Sequence, residues 1–165
     1  MQPETGPRYL EIPMRPAILA LRAACFIAAL GFATAVLAGE FFEAGGAAIR
    51  GTDPVAYFKE NRAVKGAEAY TATYKGSVFR FASAANRDAF TAAPERYAPQ
   101  YGGFCAYAVA MGYKASIDPD AFTIVDGKLY LNYNKPTEVL WRKDIPGYVK
   151  KGDGNWPAVS KKPNP

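Results

Sequence analysis

Two stretches of the chain alternate apolar and polar positions, and the segments between and after them repeat at helical spacing. Ala69 to Tyr74 alternates as a strand, Lys75-Gly76-Ser77 supplies a hairpin turn, and Val78-Phe79-Arg80-Phe81 alternates again. Ala121 to Val125 and Lys128 to Tyr133 form a second β-prone pair around Asp126-Gly127, a dipeptide suited to a tight primed turn. Between the hairpins, Ser83 offers its hydroxyl as an N-cap, and Ala85, Ala89 and Phe90 fall on one helical face. Pro94 opens a second helical turn through Tyr97, because its fixed φ suits a first helical position. Ala106 to Met111 reads as a helix stopped by Gly112, and Tyr113 to Asp120 as a loop turning on Asp118-Pro119-Asp120. Thr137 to Lys143 predicts a last short helix, with Val139, Leu140 and Trp141 packed on the sheet. Asp53-Pro54 marks a turn or the start of a helix.

These elements predict an α+β fold: a small antiparallel sheet made of two hairpins, packed by short helices. Residues 52–143 form the domain. Residues 39–51 are small and mixed, and read as a linker or a short helix packing back. Residues 144–165, rich in Gly, Pro and Lys, read as a tail that wraps the domain or hangs loose. Residues 1–38 read as a targeting segment. Arg15 and Arg22 precede an apolar run from Ala23 to Ala38, and Val36 and Ala38 suit the −3 and −1 sites of signal peptidase. Met14 would open a more ordinary signal peptide than Met1. The run is short for a membrane span of about 20 residues, which favours cleavage before Gly39. The alternative is an uncleaved anchor with its N-terminus inside, since the arginines lie upstream. The expected location is therefore periplasmic or secreted, with membrane contact only if the leader is uncleaved.

Composition narrows the chemistry. The chain contains no histidine, which removes His-assisted hydrolysis, His-ligated metal sites and haem with a histidine axial ligand. Its formal charge of +5 is scattered, with basic pairs in the tail at Lys150-Lys151 and Lys161-Lys162. Neither a basic stripe nor a recognition helix points to nucleic acid. Aromatic residues make up 14% of the chain and are rich in tyrosine, so a core or groove must be heavily aromatic.

Cys105 is the sharpest candidate for chemistry. With the leader and its Cys25 removed it is the sole cysteine, and it cannot form an internal disulfide. A cysteine at a helix start can have its thiolate stabilised by backbone N–H groups. Gly102-Gly103 would let a ligand or a partner backbone approach closely. Against this, the rings of Tyr101, Phe104 and Tyr107 oppose ionisation by desolvation, and no second thiol or imidazole is at hand. Asp53, Tyr57, Tyr101, Tyr107 and Arg80 form a polar and aromatic set that could line a pocket near Cys105. No catalytic residue, metal ligand or cofactor is expected.

Asp53-Pro54-Val55, the hairpin into Phe81, Ser83, Arg87-Asp88, Phe90 and Pro94-Glu95-Arg96-Tyr97 together resemble a YHS domain. That is a small module related to the treble-clef metal-binding domains and found in metal-transporting ATPases. The resemblance covers Thr52 to Tyr101 and implies a treble-clef-like first half. The flanking Tyr-Gly-Gly-Phe-Cys-Ala and Val-Asp-Gly-Lys-Leu-Tyr-Leu-Asn-Tyr-Asn runs are similar to a secreted bacterial branch of YHS-like proteins. Metal-binding YHS domains place cysteines where this chain has Ala56, Ala82 and Asn86. Alanine offers no soft ligand, so the resemblance implies the module without its metal site. The expected function is an exported, non-catalytic binding or accessory module for a small ligand or an envelope protein. The alternatives are a thiol-based redox or soft-metal role at Cys105, and a membrane-complex subunit held by an uncleaved leader.

Overall fold

The computed structural model describes residues 40–165. The leader, with the Ala38 cleavage site and Cys25, lies outside the described residues. Phe41 and Phe42 enter the core at once, and Ala47, Ala48 and Ile49 follow them. Five apolar side chains in nine residues are too costly to leave in water, so residues 41–51 are no linker. They form a hairpin of β1 (Glu43–Ala44) and β2 (Ala47–Ala48), turned at Gly45-Gly46 and followed by a 3-10 turn, Ile49–Gly51. The Phe42 N–H donates to the Gly102 carbonyl at 2.7 Å, tying this hairpin to the later chain.

Helix α1 (Pro54–Glu60) begins at Asp53, whose carboxylate caps it. Strands β3 (Ala67–Tyr74) and β4 (Ser77–Phe81) pair antiparallel through Lys75-Gly76, whose φ values of 47° and 79° are those of a primed turn. Helix α2 (Ala84–Ala92) is capped by the Ser83 hydroxyl, which accepts from the Asn86 N–H at 3.2 Å. Its buried face is Asn86 and Phe90 with Ala89 beside them, while Ala85 faces solvent. The expected all-apolar face is thus shifted by one residue, because Asn86 turns inward to a partner. Helix α3 (Pro94–Tyr97) opens at its proline as expected.

A 3-10 turn, Gln100–Gly103, leads into the short helix α4 (Ala106–Ala110), which ends before Gly112. Strands β5 (Asp118–Val125) and β6 (Lys128–Asn132) meet at Asp126-Gly127, again a turn of positive φ. Asp118-Pro119-Asp120 are part of β5 rather than a loop: Asp118 pairs with Asn132 before a shift in register at Phe122. Helix α5 (Lys135–Arg142) starts ahead of Thr137 because Asn134 caps it and Pro136 fits its first turn. Only Trp141 of its three expected core residues is buried; Val139 and Leu140 face solvent, and Glu138 turns inward instead. The Glu138 carboxylate is held there by the Thr123 hydroxyl and Lys135, with Arg142 close by.

The C-terminal segment wraps the domain. Helix α6 (Ile145–Val159) is capped by Asp144 and packs against α4. Asn155 donates to the carbonyls of Val109 and Ala110, which satisfies the end of α4. The architecture is α+β, but its hairpins remain three separate two-stranded sheets rather than one. Two clusters fill the interior. Phe41, Val55, Phe79, Phe81, Phe90 and Tyr97 form one, around β4 and α2. Ile49, Tyr57, Phe104, Cys105, Leu131 and Trp141 belong to the other, under β6, α4 and α5. Among the described residues no helix is long and apolar enough to cross a membrane.

Candidate functional site

Asp53 is completely buried and is a structural hub. Its Oδ1 accepts from the N–H groups of Val55 at 2.8 Å and Ala56 at 3.3 Å. Its Oδ2 accepts from the Ala82 N–H at 2.8 Å and from Asn86 Nδ2 at 2.7 Å. Lys59 Nζ then donates to Asn86 Oδ1 at 3.0 Å. One carboxylate thus joins the start of α1, the end of β4 and the first turn of α2, and every contact is to a donor. That satisfies the charge but leaves nothing over for a ligand.

The other candidates also have occupations of their own. Tyr57 is buried, donates its hydroxyl to the Pro119 carbonyl at 2.9 Å, and packs its ring on Phe122. Burial, reinforced by the Asp120 carboxylate, raises its pKa far above the usual value, so it stays a neutral donor. Arg80 reaches Glu68 at 3.1 Å. Tyr107 packs on Tyr148 with ring centroids 5.2 Å apart. These residues do not converge on a common pocket around the sulfur.

Cys105 itself is 1% exposed. Its Sγ lies 3.7 Å from Asn132 Oδ1, inside the second core. Burial pushes the thiol pKa up; backbone hydrogen bonds from Ala108, Tyr133 and Tyr107 pull the other way and are outweighed. The helix that starts there has only five residues, and its N-terminus does not activate the thiol. The thiol-based alternative required a reachable sulfur with a lowered pKa, and both conditions fail.

Two of the expected site residues, Tyr101 and Gly102, do line a cavity of about 340 Å³. Glu40, Tyr74, Lys75 and Glu95 form one side of it, and Asp153, Trp156 and Pro157 of α6 the other. Tyr101, Gly102 and Gly103 all adopt left-handed backbone, with φ of 52°, 58° and 71°. At Gly102 the absence of a side chain is required twice over, since a Cβ would collide with the Glu40 carbonyl. The Tyr101 hydroxyl donates to Asp153 Oδ1 at 2.9 Å and lies 3.2 Å from the Val149 carbonyl. Its ring fits against α6 only because residue 152 is glycine: a Cβ there would stand 2.6 Å from the hydroxyl oxygen. Burial and the Asp153 carboxylate hold the Tyr101 pKa well above the usual range.

Sequence reasoning did not bring Asp153 and Trp156 to the site, because a Gly-, Pro- and Lys-rich segment reads only as a tail that wraps the domain or hangs loose. The available signal was Trp156 itself, a large ring that a loose tail would leave in water.

Residues 55–101 match the family model of the YHS domain. No curated protein and no solved structure gave a match. The match suggests a metal-associated accessory module, and the residues present can be tested against that. Ala56 and Ala82 bring methyl groups where thiolates would be needed, and Asn86 has its amide committed to Asp53 and Lys59. Among the described residues, no group of three or more His, Cys, Asp or Glu side chains is placed to hold a metal ion. The residues of this corner do not fit a metal, and a hydrogen-bonded carboxylate occupies it.

Proposed function

We propose that this YHS domain-containing protein is an exported, non-catalytic accessory module that binds a small ligand without a metal. The observation that carries the reading is the 340 Å³ cavity between the β3–β4 hairpin and α6, within the usual size range of small-molecule sites at about 300–1,000 Å³. Its aromatic walls are fixed by packing: Trp156 lies 5.9 Å from the Tyr101 ring and 6.3 Å from Phe104. Such a wall needs no rearrangement to receive a ligand. The leader, with Arg15 and Arg22 ahead of an apolar run, supports export. Cys105 belongs to the core on this reading and takes no part in function.

The test uses indole fluorescence. The chain has two tryptophans; Trp141 is fully buried, whereas Trp156 lines the cavity. A library of small cations, anions and neutral molecules is titrated in turn. At least one class shifts the Trp156 signal, and Trp156→Phe abolishes the response. Silence across all three classes would contradict the binding reading. Export is tested by the intact mass of protein from the host's envelope, which should begin at Gly39.

A further inference from the structure

We propose that the ligand of this cavity is a small organic cation, a primary amine or quaternary ammonium group carried on an apolar body. This inference rests on the cavity reading above and adds the charge class. The protein as a whole is positive at +5, yet three carboxylates line the cavity against a single ammonium. Glu40 is the one already paired, with Lys75 at 3.5 Å. Glu95 and Asp153 have no ion-pair partner among the described residues. Asp153 receives the Tyr101 hydroxyl on Oδ1, while its second oxygen has no hydrogen-bond partner among the described residues. A locally negative hollow in a positive protein repels anions and gathers cations.

The walls agree with the charge. Lys75 Nζ stands 5.4 Å from the centroid of the Tyr74 ring, so the chain's own ammonium already occupies a cation–π position at the cavity. Trp156, the ring type that holds cations best, lines the same cavity, with no cation–π partner among the described residues. An ammonium between Trp156, Glu95 and Asp153 would find both a π face and two counter-charges. A neutral molecule of the same shape would gain only the ring contact. An anion would meet uncompensated carboxylates.

Four probes of one shape separate these cases: benzyltrimethylammonium, benzylamine, benzyl alcohol and benzoate, each titrated against the full protein while Trp156 fluorescence is followed. Both cations bind, and benzyl alcohol and benzoate are weaker by about tenfold or more, the effect of one well-placed charge contact. Glu95→Gln, an exposed substitution outside the hydrogen-bond network, weakens the cations several-fold and leaves benzyl alcohol unchanged. Asp153→Asn acts in the same direction, with its thermal midpoint measured alongside to separate binding from the loss of the Tyr101 contact. Benzyl alcohol or benzoate binding as tightly as the cations would overturn the charge class while leaving the cavity a ligand site. No response to any of the four would overturn the charge class and the cavity reading together.

Discussion

Asp53 and Asn132 are the polar centres of the two halves of the molecule, and both are completely buried. They are satisfied very differently. Asp53 accepts four hydrogen bonds, from Val55, Ala56, Ala82 and Asn86, so both of its oxygens are occupied. Asn132 accepts from the Tyr107 N–H at 3.2 Å and the Cys105 thiol at 3.7 Å, while its Nδ2 has no partner among the described residues. A buried carboxylate with four donors offsets its desolvation by charge-assisted bonds. A weak thiol donor and an unsatisfied amide offset less. The corner that resembles a metal site has thus become the tightly determined one. The corner that contains the cysteine is held by ring packing.

This contrast implies an order of sensitivities. Asp53→Ala is expected to cost about 3 kcal/mol or more, since it leaves four donors unpaired, three of them buried, and removes the cap of α1. Asn86→Ala removes only one of those donors and should cost about 1 kcal/mol. Urea unfolding of both variants measures the difference. An Asp53→Ala cost no larger than that of Asn86→Ala would break the comparison.

At the other corner, Cys105→Ser is expected to cost about 1 kcal/mol, the size of an ordinary core substitution, and to leave ligand binding unchanged. In the native protein iodoacetamide should label Cys105 only as fast as the fold opens. Rapid labelling at neutral pH would show that the sulfur is reachable. The thiol also carries a pH signature. Burial raises the pKa of Cys105 from its ordinary value of 9.0, and those of Tyr57 and Tyr101 from 10.0. As pH rises, the unfolded chain therefore loses these protons first, and the folded state binds more of them. The stability contributed by these groups is fully present below pH 9.0 and falls above it. Cys105→Ser moves the onset of that fall towards the tyrosine value of 10.0, which alkaline unfolding midpoints would record.

Much of this was legible in the sequence, for identifiable reasons. Lys75-Gly76 and Asp126-Gly127 fix their hairpins by turn chemistry, and Ser83 and Pro94 mark their helix starts, all within a few neighbouring residues. Asn86 and Glu138 were not legible as inward-facing, because a polar side chain turns in only when distant partners such as Asp53 and Thr123 arrive. The hairpin at 43–48 hid in small residues, and its burial depends on Gly102, more than fifty residues away. The cavity was half visible. Tyr101 and Gly102 stood out beside the cysteine, whereas Asp153 and Trp156 lie on a helix whose glycines weaken any local helical signal. Gly152 weakens α6 for the sake of the Tyr101 ring, a trade that only the folded state displays.

At the corner matched by the YHS family model, Asp53 is consumed by four donors and Ala56, Ala82 and Asn86 offer no soft ligand, so this corner should hold no metal. Zinc titration in competition with a chelating dye, with the thermal midpoint followed in parallel, tests it most directly. The account predicts no stoichiometric zinc uptake and the same midpoint in chelator and in zinc. A stoichiometric site that raises the midpoint by mass action, and that persists in Cys105→Ser, would contradict it.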